Sequence, residues 1–93
     1  MISRFKVLLK FSDIGIMLKF IESGESYWLI SDFSSYPESA WSIKFDGFSK
    51  LTESECIANA RFLVEHAPNV LKGDTFSACC GANEIAYGEV IAI

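Results

Sequence analysis

The segment Leu51–Ala67, LTESECIANARFLVEHA, constrains this chain more than any other, because its local signals agree. Thr52 and Glu55 stand at capping-box spacing. The Thr hydroxyl can accept a backbone N–H three residues on, and the Glu can reach back to the Thr N–H. Glu53 and Glu55 place negative charge in what would be a first helical turn, where the dipole favours it, and Pro68 ends the pattern. At about 100° per residue, Cys56, Ile57, Ala60, Leu63, Val64 and Ala67 fall on one side. The segment therefore predicts an amphipathic helix, with sheet to pack against it.

Sheet is what most of the remaining chain predicts. In Arg4–Phe11, Phe5, Val7, Leu9 and Phe11 alternate with Arg4, Lys6, Leu8 and Lys10, the period of a strand with one buried face. Residues 12–24 fit a helix, with Ser12 as N-cap, Gly24 as the stop and Ile14, Met17, Leu18 and Ile21 as the stripe. Alternating Ile14, Ile16, Leu18 and Phe20 leave a strand open there. Ser26–Phe33 reads as a strand, 34–39 as a loop, and Ala40–Asp46 as a strand ended by Gly47. Beyond Pro68, Thr75–Cys80 is a short strand, 81–84 a turn and Ile85–Ile93 a final strand, with Gly88 marking a bulge or a close approach.

The resulting order, β-α-β-β-α-β-β in one domain over 1–93, predicts an α+β ferredoxin-like sandwich with two helices on one face of an antiparallel sheet. The alternative is a β-meander packed on the single helix 51–67.

Ninety-three residues, 51% hydrophobic, can fill a core without disulfide or metal. The longest apolar run, Phe11–Ile21, is broken by Ser12, Asp13 and Lys19, and the N-terminus makes a poor signal peptide. No membrane association and a cytoplasmic location are expected. Cys56, Cys79 and Cys80 are an odd number with two adjacent, unlike a secreted disulfide framework.

Net charge is −4. Residues 1–22 carry Arg4, Lys6, Lys10 and Lys19 against Asp13 and Glu22, a net +2; residues 23–93 carry four bases and ten acids, a net −6. The acidic body argues against nucleic acid and suits a basic protein partner.

The residues that could carry chemistry are few. His66 is the sole histidine. No zinc-ligand spacing, phosphate-binding glycine loop or G-x-S-x-G is present, so no cofactor, metal or catalytic residue is expected and the chain reads as a non-enzyme. On the expected helix, Phe62 lies opposite the apolar stripe among Glu55, Glu65 and His66. It is there either a binding anchor or core covered by the C-terminal segment. A second candidate surface is the loop Asp32–Trp41, where Asp32, Tyr36 and Glu38 mix an aromatic with acids, while Trp41 alternates with Ile43 and Phe45 toward the core.

Asp32, Tyr36, Glu38, Glu55, Phe62, Glu65 and His66 are thus the expected partner contacts. A small acidic binding protein that neutralises a larger basic partner follows, such as an immunity protein for a bacterial nuclease toxin. The alternatives are an oligomerising structural or regulatory subunit and a small enzyme using His66 or Cys79/Cys80.

Overall fold

In a computed structural model, which describes residues 4–37 and 39–93, the chain forms strands β1 (Arg4–Phe11), β2 (Tyr27–Phe33), β3 (Ala40–Lys50), β4 (Glu55–Phe62), β5 (Thr75–Cys80) and β6 (Asn83–Ala92), with one helix, α1 (Ile14–Ser23). The strands close into a barrel in the order β1-β4-β3-β2-β5-β6, and every neighbouring pair is antiparallel. The expected α+β ferredoxin-like sandwich is therefore wrong, and so is its alternative, the meander packed on a helix at 51–67. Among the described residues no helix is long and apolar enough to cross a membrane.

The error lies in one segment. Leu51–Ala67 contains strand β4, which is hydrogen-bonded to β1 on one side and β3 on the other. Its residues obey period two as well as period 3.6: Cys56, Ala58, Ala60 and Phe62 are buried while Glu55, Ile57, Asn59 and Arg61 face outward. Ala60 is paired with both Phe5 and Phe45, so a small side chain sits between two rings in the same layer of the barrel. Alternating small and large inward residues are how a narrow barrel fills its interior. A helix would turn Phe62 away from Cys56 and leave those rings without cover.

The expected capping-box bonds do not form; Thr52 and Glu55 do interact, but they close a hairpin. The Thr52 hydroxyl donates to Glu55 Oε1 at 3.0 Å, and the Leu51 and Thr52 amides donate to the Glu55 carbonyl at 2.9 and 3.1 Å. Residues that would start a helix instead tie β3 to β4.

Elsewhere the local rules hold with small shifts. β1 buries the four residues its alternation assigns. Helix α1 forms, with Asp13 rather than Ser12 as its N-cap: Asp13 Oδ1 accepts from the Gly15 amide at 2.8 Å and the Ile16 amide at 3.4 Å. Gly24, at φ 66°, ends it in the left-handed conformation that favours glycine. Gly47 does not end β3; it bends it, with φ 62° and a register shift against β4 between Asp46 and Ser49. Gly88 is a close approach: a Cβ there would fall inside the Phe76 ring.

The interior is filled. Phe33, Phe45 and Phe76 lie fully buried with Val7, Leu9 and Ile43. The Phe33 and Phe76 rings stand 4.9 Å apart, and Phe62 lies 5.6 Å from Phe5 and 5.8 Å from Phe33. Helix α1 plugs one end: Phe20 stacks on Tyr27 at 4.0 Å and meets Phe11 edge-on at 5.6 Å. The connection 63–74 covers the other end, held by the Tyr36 hydroxyl donating to the Asn69 carbonyl at 2.8 Å. Two buried polar atoms have no partner among the described residues, Ser31 Oγ on the inner face of β2 and Trp41 Nε1 on β3.

Candidate functional site

A filled barrel offers a ligand its wall and its ends, and here the wall is divided by charge. Strands β1, β3 and β4 carry Arg4, Lys6, Lys10, Lys44, Lys50 and Arg61, six of the eight Lys and Arg in the chain, with Asp46 and Glu55 as their acids. Strands β2, β5 and β6 carry Asp32, Glu84 and Glu89 and no Lys or Arg. In the order around the barrel these are two contiguous halves, with β4 across from β5.

On the acidic half, cross-strand register builds the surface. Asp32 pairs with Ser77, and Ser77 with Tyr87; Ile30 pairs with Cys79, and Cys79 with Glu84. Ile30 and Tyr87 are 42% and 49% exposed, which places apolar and aromatic surface among the carboxylates. Partial burial, then the charges of Asp32 and Glu84, push the Cys79 thiol up from its ordinary pKa. The thiol thus feels two carboxylates that belong to different strands. Cys56, inside the barrel, is raised to about 11 by burial, which keeps it an inert thiol at neutral pH.

One row crosses the three strands of the basic half and reaches onto β2: Trp28 pairs with Lys44, Lys44 with Arg61 and Arg61 with Arg4. Lys44 Nζ lies 5.9 Å and Arg61 Cζ 5.5 Å from the centre of the Trp28 ring, within cation–π range.

The contacts expected from sequence do not form one patch. Phe62 is 5% exposed and faces inward, so it is core and not a surface anchor. Glu55 lies on the same strand, seven residues away, about 23 Å at strand rise, and accepts from Thr52 within the hairpin. Asp32 points outward on β2. Tyr36 is half-buried, its hydroxyl bound to the end connection and its ring edge-on to Phe33 at 6.4 Å. Glu65 and His66 are exposed on that connection. Glu38 lies outside the described residues. The fold therefore gathers Asp32, Tyr36, Glu65 and His66 toward one end and leaves Glu55 at the other.

Ile30, Glu84, Tyr87 and Glu89 escaped the sequence reading. Outward alternation in β2 and β6 was the signal that would have found them. A cavity of about 230 Å³ lies beneath the end connection, lined by Arg4, Phe5, Phe62, Val64 and Val70 among others. Among the described residues no three His, Cys, Asp or Glu side chains are grouped to hold a metal ion.

Fold and wall together define a small antiparallel barrel with a packed interior and oppositely charged halves. Set against known proteins, the chain matches no family model, no curated protein and no solved structure.

Proposed function

We propose that this protein is a small non-catalytic binding protein that neutralises a larger, basic protein partner, as an immunity protein does for a bacterial nuclease toxin, and that it docks through the outer face of β2, β5 and β6. The observation that carries this reading is the absence of any Lys or Arg on those three strands, where Asp32, Glu84 and Glu89 surround exposed Ile30 and Tyr87. Like-signed charge over a face speeds encounter with a basic surface, and a central aromatic supplies affinity once water is excluded. A nuclease must present cations to phosphate, so its cleft is the kind of surface this face complements. Three free cysteines suit the reducing cytoplasm as the place of action.

The test is capture of the partner from the native host, with identification of its charge and a salt titration of the purified pair. The expected partner is basic. Asp32→Lys combined with Glu84→Lys should slow association, and Tyr87→Ala should raise the dissociation rate, each with the barrel intact. An acidic partner, or affinity indifferent to all three substitutions, would refute the reading.

A further inference from the structure

We infer that the outer face of β1, β4 and β3, together with Trp28 at the adjoining edge of β2, binds single-stranded nucleic acid, with Trp28 as the stacking surface and Lys44, Arg61, Arg4 and Lys6 as phosphate contacts. Trp28, Lys44, Arg61 and Arg4 are neighbours in register across β2, β3, β4 and β1, so aromatic and cations form one line about 14 Å long at ordinary strand spacing. Lys6 pairs with Asn59, and Asn59 with Asp46, in the adjoining outward row. Trp28 remains 46% exposed although two cations approach its ring. An aromatic that offers a π-face beside a track of cations is what sequence-tolerant recognition of a single strand requires.

The net charge of −4 is the physical objection, and distance answers it. Asp32 lies four residues along β2 from Trp28, and Glu89 faces Leu8, four residues along β1 from Arg4, each about 13 Å at strand rise. That exceeds the Debye length of about 10 Å at 0.1 M ionic strength, while the cations lie at the contact itself. On the three strands that bear those cations, Asp46 and Glu55 are the opposing charges, and Glu55 sits at the hairpin end of β4. An acidic protein or the acidic wall of a second copy would meet the same cations, but neither makes use of an exposed indole flanked by them as a stacked base does.

The experiment is fluorescence anisotropy of a labelled short oligothymidylate titrated with the full chain between about 50 and 200 mM salt. Saturable binding is expected, with a slope of log affinity against log salt of about −2 to −3, from three to four phosphates neutralised on a single strand. Trp28→Ala should weaken binding at least about fivefold at any salt, from the lost stacking. Arg61→Gln and Lys44→Gln should flatten the slope by about 0.7 each. Glu84→Lys and Tyr87→Ala, on the other wall, should leave oligonucleotide affinity within twofold, which separates this inference from the partner reading above.

Three results would overturn it: no binding at the lowest salt, polyglutamate competing as strongly as the oligonucleotide, or self-association of the free chain abolished by the same Gln substitutions. Circular dichroism on each variant keeps loss of binding distinct from loss of fold.

Discussion

The two halves of the barrel wall share one interior and differ in everything they show outside. β1, β4 and β3 turn Phe5, Val7, Leu9, Ala58, Ala60, Ile43 and Phe45 inward; β2, β5 and β6 turn Leu29, Phe33, Phe76, Ala78 and Val90 inward. From within, the halves are equivalent apolar surfaces. From outside, one carries six cations and the other none. Strand alternation permits this, since inward and outward positions are independent sets and the core places no demand on the sign of the outer charge. Shape and recognition are thus separable here, and substitutions can address either one.

The largest effect should come from the shared interior. Phe62 touches Phe5 of the basic half and Phe33 of the acidic half. Phe62→Ala should cost about 3–5 kcal/mol and impair both faces together, measured by urea unfolding. If Phe62→Ala were stable and one face alone lost binding, the halves would not share a frame.

Next comes pH. Cys56 has its pKa raised to about 11 by burial, above the ordinary thiol value of about 9. The unfolded state therefore ionises first. The stability conferred by keeping this thiol neutral is fully present below pH 9 and is lost as pH rises from about 9 through 11, on the order of 2 kcal/mol in all. Cys56→Ala should remove that loss from the high-alkaline stability profile.

A smaller effect is expected at Ser31, whose buried hydroxyl has no partner on the inner face of β2, the strand where the halves meet. Ser31→Ala removes an unsatisfied polar group and should raise stability by about 1 kcal/mol, seen as a higher midpoint in urea. Smallest of all are the outer walls themselves. Arg61→Gln or Glu84→Lys should shift stability by no more than about 0.5 kcal/mol while changing binding on one face only. A large stability change from either would tie charge to fold after all.

How much of this was legible depended on whether a residue's neighbour lies near it in sequence. β1 was readable because it alternates cleanly over its own length, β2 because aromatic and β-branched residues fill it, and α1 because Gly24 and the Met17 stripe are local signals. Gly88 signalled either a bulge or a close approach, and the Phe76 ring against it makes it the second. Residues 55–62 failed because Cys56 and Ala60 are compatible with both periods. What chooses between them is pairing with Phe5, Val7 and Phe45, distant in the chain. Alternation was present in ECIANARF, broken only by Ile57, but the capping signature at Thr52 and Glu55 outweighed it. The charge division was hidden for the same reason. Arg4, Lys44 and Arg61 look scattered along the chain and become neighbours only when β4 slots between β1 and β3. Once Phe62 moved inside, the patch expected around it dissolved.

Closure has a consequence in time. β1 is hydrogen-bonded to β4 and to β6, so the first of these six strands to be made lacks one of its two partners until residues 83–92 have followed. Until then Arg4–Phe11 has an unpaired edge, and β5 lacks its seam as well. The β1–β6 pairing that closes the ring joins strands distant along the chain, and such pairings pay loop-closure entropy before they return any contact. During that wait the charged side chains of β1, with Arg4, Lys6 and Lys10 at alternate positions, discourage a stray strand from docking on the open edge. The same cations that mark one face of the finished barrel thus guard the nascent one.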